Sequence, residues 1–238
     1  MNPPVDALPE SDFEFSALRW AENYRRVLIA EFAAHLRGRV VEVGSGIGQM
    51  TELLIRAPGV EEVLAVEPDP RFGPEFRRRL PDTPLLEGTV SQVEAGRPCH
   101  CIVSVNVLEH IEADEAELKA YAALLKANRG ALCLFVPARP EIYAPIDKDF
   151  GHYRRYTRSV LLGRLKAAGF EVLRLNYFNL IGYFAWWFNF CLLRKRHFDE
   201  GAVRFFDGAV FPVSHFLESR LMRPPIGQSL LAVARVAS

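Results

Sequence analysis

Val40-Val-Glu-Val-Gly-Ser-Gly-Ile-Gly48 is the stretch that decides the fold. Its apolar, β-branched start reads as a short buried strand. The strand runs straight into glycines at 44, 46 and 48, and a helix is expected over residues 49 to 56. Glycine accepts positive φ and lets a ligand approach the backbone. N–H groups exposed at a helix start favour anionic or polar ligand groups. A dinucleotide fingerprint would read G-x-G-x-x-G, but its third glycine position is Gln49 here; the spacing is G-x-G-x-G. Glu42 precedes the first glycine by two places.

On either side, strands and helices alternate. A helix over residues 16 to 36 carries Leu18, Val27, Leu28, Phe32 and Leu36 at helical spacing, with Gly38 just past its end. Further apolar runs read as strands at 63–67, 84–88, 101–105 and 130–136, with helices at 72–80 and 114–127 between them. Continuous apolar strands separated by helices imply a parallel sheet covered on both faces. Later, Thr157 caps a helix over 158–168 that Gly169 ends. Strands at 171–177 and 230–236 then form a late pair at the sheet edge, completing seven.

Glu67 ends the second strand, 23 positions after Gly44. A carboxylate there accepts hydrogen bonds from both hydroxyls of a ribose, so turn and acid together read as a nucleoside site. These residues resemble the class I S-adenosylmethionine-dependent methyltransferases, whose turn commonly reads E-x-G-x-G-x-G as Glu42 to Gly48 does. The resemblance implies a Rossmann-like methyltransferase fold with S-adenosylmethionine as cofactor and S-adenosylhomocysteine as product. It places Gly44, Gly46 and Gly48 around the methionine part and Glu67 at the ribose. Glu42 would hold the turn from behind or reach the cofactor ammonium through water.

Asn106-Val-Leu-Glu-His-Ile111 is similar to the V-L-E-H-I segment of one branch of the family. Asn106 would then face the methionyl group, with Glu109 and His110 near the cleft. Thr89 is the candidate for adenine, where the family often has an acid. Val136-Pro-Ala and Tyr143 lead to Asp147 and Gly151-His-Tyr-Arg-Arg-Tyr-Thr157. That pattern, with Asn23-Tyr24 and the tail from Pro224 to Arg235, resembles bacterial methyltransferases often associated with glycosyltransferases. Tyr24 is counted with the cofactor residues on this ground.

The 143–156 segment is dense in groups that act on substrates. His152 exchanges a proton near neutral pH and is the first candidate base, His110 the second. Arg154 and Arg155 grip carboxylate or phosphate through paired N–H groups. Tyr143, Asp147 and Tyr156 complete the expected substrate set. A plainer reading has Asp147 or Asp149 pairing with an arginine only to fix the loop.

Residues 177–193 are rich in Phe, Trp and Leu, and Arg194-Lys-Arg-His197 follows. A spanning helix needs ~20 predominantly apolar residues, and Asn179 and Asn189 interrupt this run. It reads as a cap on the acceptor site, or as an interfacial helix with its basic end on lipid phosphates. Either implies an apolar-walled acceptor pocket.

Lys+Arg and Asp+Glu both number 29, which gives no whole-chain attraction to nucleic acid. Four cysteines include Cys99 and Cys101 around His100, but no second ligand pair follows, and no metal site is expected. The start of the sequence lacks a basic, apolar leader. The expectation is one domain over 1–238: an arm and helix to 37, a cofactor core over 38–137, then substrate loop, aromatic cap and terminal strands. The protein is expected to be cytoplasmic, peripheral to the inner membrane face if residues 178–197 meet lipid. Its acceptor is a small molecule, a glycan or a lipid-linked compound, methylated at O or N. A non-catalytic binding module is the alternative, and no oligomeric state is implied.

Overall fold

A computed structural model describes residues 19–94, 96–220 and 224–237. The expected polar arm and the first residues of the N-terminal helix lie outside these. Within them the helix α1 runs Glu22–Phe32 and tightens into a 3-10 turn, Ala33–His35. The order continues β1 Gly38–Val43, α2 Thr51–Ile55, β2 Val60–Glu67, α3 Gly73–Arg79, β3 Leu85–Glu87, β4 Cys101–Val105, α4 Asp114–Lys126 and β5 Ala131–Pro137. A short α5, Pro145–Asp149, precedes α6, Arg158–Ala167, and β6, Phe170–Phe178. Then come α7 Leu180–Trp186, α8 Glu200–Phe205, α9 Phe211–Arg220 and β7 Ser229–Val236.

The seven strands lie in the order β3-β2-β1-β4-β5-β7-β6. β1 through β5 pair in parallel, while β7 runs antiparallel between β5 and β6. All six residues of β1 are buried, as a central strand covered on both faces requires. Neighbouring side chains point to opposite faces. Val41 and Ile102 pack with Leu118, Tyr121 and Leu125 of α4 and Leu161 and Leu165 of α6. Val40, Cys101 and Val103 pack with Leu28 and Phe32 of α1, Leu54 of α2 and Phe211 of α9.

Cys99, Cys101 and Cys133 belong to these cores, and burial pushes the Cys99 thiol up to about 12. His100 accepts from the Arg39 N–H at 3.0 Å. The cysteines therefore act as small apolar side chains.

The strand order reverses between β1 and β4. Ligands of open α/β sheets bind at such a switch point, beyond the carboxyl ends of the strands. The chain over the opening is the aromatic segment, as α7 and α8 followed by π-helical turns at Trp187–Leu192 and Phe206–Val210. Among the described residues no helix is long and apolar enough to cross a membrane.

Candidate active site

Two adjoining cavities lie beyond β1 and β4. The first, about 510 Å³, is walled by Gly44, Ser45, Gln49, Glu67, Val107 and His110. The second, about 260 Å³, is walled by Glu109, Phe135, His152, Arg155, Trp186 and Phe190. Ala21, Tyr24, Asn106 and Phe150 belong to both walls, so the cavities meet there.

The glycine turn is shaped by its contacts. Gly44, Gly46 and Gly48 have φ of +76°, +52° and +84°. A Cβ on Gly44 would lie 2.3 Å from Val107 Cγ2, so no side chain fits between the two loops. The Gly46 N–H donates to Glu67 Oε2 at 2.7 Å. Gly48 faces elsewhere: a Cβ there would meet Leu80 at 2.8 Å and Phe76 at 3.1 Å. Gly44 alone of the three lines the cavity; the other two are needed for the turn and for packing.

Glu67 accepts the Asp69 N–H through its other oxygen, Oε1, at 3.0 Å. Each carboxylate oxygen has a second acceptor site, and the residue lines the first cavity. Burial pushes its carboxyl above the ordinary range. Glu42 sits behind the turn and accepts from Thr51 Oγ1 at 2.5 Å, which ties β1 to the start of α2. Burial pushes the Glu42 carboxyl up to about 8.

Two buried polar atoms in this wall, Ser45 Oγ and Gln49 Nε2, have no hydrogen-bond partner among the described residues. Buried polar groups are normally paired, so both point to a ligand. Donors at the turn and an acceptor carboxylate at Glu67 suit a molecule with an amino-acid carboxylate and a ribose diol. S-adenosylmethionine has both.

Thr89, expected at adenine, stands outside both walls. It starts a 3-10 turn, Val90–Gln92, and its hydroxyl meets Ser91 Oγ at 2.8 Å while its N–H donates to Gln92 Oε1 at 2.8 Å. The wall after Glu67 is made instead by Pro68, Asp69, Arg71 and Phe72.

Asn106 holds φ of +53° and lies where the cavities join. Asparagine tolerates this left-handed backbone better than most residues. Tyr24 also borders both cavities, packed edge-on to Phe135 and Phe178, and burial pushes its hydroxyl well above the ordinary range. Asp207, which sequence reasoning missed, receives the Asn23 and Tyr24 N–H groups at 2.9 Å each and so caps α1. Its signal was a lone acid within an aromatic stretch.

The substrate set divides. Tyr156 is buried, with its hydroxyl 2.7 Å from Asp114 Oδ2 and 3.2 Å from the Leu108 carbonyl. Arg154 pairs with Asp114 at 2.8 Å and donates to the carbonyls of Ile111 and Glu112. Tyr143 donates to the His152 carbonyl at 2.6 Å. None of these three lines either cavity; they tie the loop to the head of α4 and to itself. Asp147 is fully buried and also lies outside the walls. It accepts from Arg155 Nε at 2.9 Å and the Ala144 N–H at 2.8 Å, and meets His152 Nδ1 at 3.0 Å. Burial raises its carboxyl, but the His152 hydrogen bond and the Arg155 charge outweigh this and leave it below the ordinary range.

His152 and Arg155 do face the second cavity. Arg155 also lies 4.3 Å over the Trp186 ring. His110 lines the first cavity, with its ring 4.6 Å from that of His152 and edge-on to it. Burial, then the neighbouring His152, brings His110 down to about 4. Both candidate bases therefore meet at the junction.

Asn179, Gly182 and Gln228 line the second cavity without having been expected there. Asn179 caps α7 by accepting the Gly182 N–H at 2.8 Å, and its amide donates to Gln228 at 2.9 Å. An Asn between a strand and an apolar helix was the available signal.

A methyltransferase domain family model matches residues 15–175. No curated protein sequence matches the chain. Solved structures are similar in fold. One is the N-methyltransferase NodS from Bradyrhizobium japonicum with S-adenosylhomocysteine: 14% identity, TM-score 0.60, covering 97% of this chain and 94% of that one. Magnesium protoporphyrin IX methyltransferase from Synechocystis, with the same ligand, is 14% identical at TM-score 0.59, covering 98% and 90%. A SAM dependent methyltransferase from Archaeoglobus fulgidus is 12% identical at TM-score 0.60, covering 94% and 99%.

Proposed function

Because the chain belongs to the methyltransferase domain family, we propose that it moves the methyl group of S-adenosylmethionine, held in the first cavity, to an acceptor in the second. The observation that carries the reading is the shared wall: a donor-sized cavity and an aromatic one have Ala21, Tyr24, Asn106 and Phe150 in common. When bound, the sulfonium supplies an already activated methyl group. Glu67 accepts from the ribose hydroxyls, and Ser45 and Gln49 donate to the carboxylate end. Pro68 and Phe72 wall the end beyond Glu67, where the base would lie. The protein's remaining task is alignment, which can supply much of the acceleration of a bimolecular transfer.

The acceptor has an apolar body and presents a hydroxyl or amine. Trp186, Phe190 and Phe198 wall its site, and Arg155 is the buried cation there. The proton lost on transfer goes to the histidine pair, His152 first, since Asp147 at Nδ1 orients the ring with its Nε2 lone pair away from that bond.

A lipid-linked acceptor fits best. Phe184, Trp187, Phe188 and Leu192 on the α7 side and Val213 and Phe216 on α9 are all exposed. Arg194, Lys195 and Arg196 follow directly. Apolar rings beside a basic cluster match an anionic lipid surface.

Calorimetry with S-adenosylhomocysteine tests the donor site. Wild type is expected to bind, and Glu67→Ala to bind ~10–100-fold more weakly, the loss of charged hydrogen bonds. Folded wild type that does not bind would sink the reading. A product assay offering extracted lipids against free sugars then separates the acceptor classes.

A further inference from the structure

Glu109, His110 and His152 each bring one ligand atom within 4.8 Å of the others. Sequence alone suggested no metal on the spacing of its cysteines; His152 is 42 positions from His110, and only the fold brings the two together. We propose that these three side chains bind one divalent transition cation, of which zinc is the probe, at the junction of the two cavities.

Three observations carry this. The first is ligand type: two imidazoles and one carboxylate suit borderline cations such as zinc. The second is the support behind one of the rings. His152 is held at Nδ1 by Asp147 at 3.0 Å. Metal-binding histidines almost always have their second ring nitrogen held by a carboxylate or backbone group. Asp147 is itself fixed by Arg155 and the Ala144 N–H, so the His152 ring is braced in turn. The third is place. Glu109 and His152 border the aromatic cavity and His110 the glycine-turn cavity, so the cation would sit beside the junction of the two, off the line from acceptor to methyl group.

Three protein ligands leave a coordination position open, the pattern of catalytic rather than structural sites. A hydroxyl of the acceptor entering that position becomes more acidic, as metal-bound water does. Its proton leaves to water, and the oxygen pair forms the new O–C bond. The S–C bond breaks with its electron pair remaining on sulfur, which yields S-adenosylhomocysteine. This step rests on the methyl-transfer reading above and refines it: the cation, rather than the histidine pair, makes the acceptor nucleophilic. Binding of the cation rests on the three side chains alone.

The test is a zinc titration of chelator-treated, full-length protein by calorimetry, with S-adenosylhomocysteine binding measured in parallel. One equivalent is expected to bind wild type, with affinity at least tenfold weaker in His152→Ala and Glu109→Gln, the latter nearly isosteric. Cobalt substitution gives a second readout on unaltered protein. Visible bands without a near-ultraviolet thiolate charge-transfer band are expected from histidine and carboxylate ligands. Wild type that binds S-adenosylhomocysteine but no stoichiometric zinc would overturn the metal site and leave the methyltransferase reading standing. Equal zinc affinity in both variants would overturn it too by locating the metal elsewhere, and a thiolate band would do so by locating it at a cysteine. Zinc binding without S-adenosylhomocysteine binding would support the metal site while sinking the donor reading.

Discussion

At the scale of single residues, the loop from Tyr143 to Tyr156 separates side chains that resemble one another on paper. Arg154 and Arg155 are neighbours, yet one braces Asp114 at the head of α4 and the other faces the aromatic cavity. Tyr156 belongs with the bracing group: its hydroxyl reaches a carboxylate in a place that contacts neither cavity. Replacing it with phenylalanine leaves the ring packing and removes one charged hydrogen bond, worth ~2 kcal/mol. Tyr156→Phe is therefore expected to melt ~4–8 °C lower, by the usual conversion for a chain of this size. Affinity for S-adenosylhomocysteine should stay within about threefold of wild type, since the change costs nothing at the cavity wall. An unchanged melting temperature with lost turnover would instead put Tyr156 on the acceptor.

At the scale of elements, the aromatic stretch serves two surfaces at once. Trp186 and Phe190 turn inward and pack with Ile142 and Ile146. Phe184, Trp187 and Phe188 turn outward beside α9. The same helical period thus builds a cavity wall and an exposed apolar face, which is why the cap and interfacial readings need not exclude each other. If the outer face meets lipid, Phe184→Ser with Phe216→Ser should cut sedimentation with anionic vesicles severalfold, while melting temperature holds, because both rings are about half exposed. Added salt should weaken wild-type binding through the Arg194 to Arg196 cluster. Wild type that ignores anionic vesicles would remove the membrane reading and leave acceptor choice to the cavity alone.

At the scale of the whole molecule, Glu42 links stability to pH. Its carboxyl has an ordinary value of 4.5 and is pushed to about 8 in the fold, mainly by burial. The folded state therefore holds this proton more tightly than the unfolded chain does. The stability it contributes is complete below the lower value and is lost as pH rises through the higher one. Glu42→Gln keeps an acceptor for Thr51 but carries no charge. Urea midpoints at about pH 5 and about pH 8 should show the variant gaining on wild type as pH rises. A difference that stays flat with pH would mean that Glu42 is ionised and solvated in the fold.

Local pattern determined much of this protein. Strand and helix alternation, the G-x-G-x-G turn and the acid at Glu67 all lie within short spans, where backbone preference and burial period act directly. They placed β1, β2, β4 and β5 close to where they stand, and Gly44 and Glu67 in one cavity wall. Helix ends were less legible: α2 begins at Thr51 rather than Gln49, after a turn in which Gly44 and Ser45 bond the Val66 carbonyl and Gly48 bonds the Ser45 carbonyl. The tertiary structure alone decided which polar side chains face a ligand. Thr89, Tyr143, Arg154 and Tyr156 are as suited in chemistry as His152 and Arg155, but their partners lie on other elements or within local turns that sequence does not reveal. Glu109, His110 and His152 became a cluster only when the loop after β5 crossed the end of β4. Chemistry is carried by residue type, whereas juxtaposition is a long-range property that the packed sheet and its loops create.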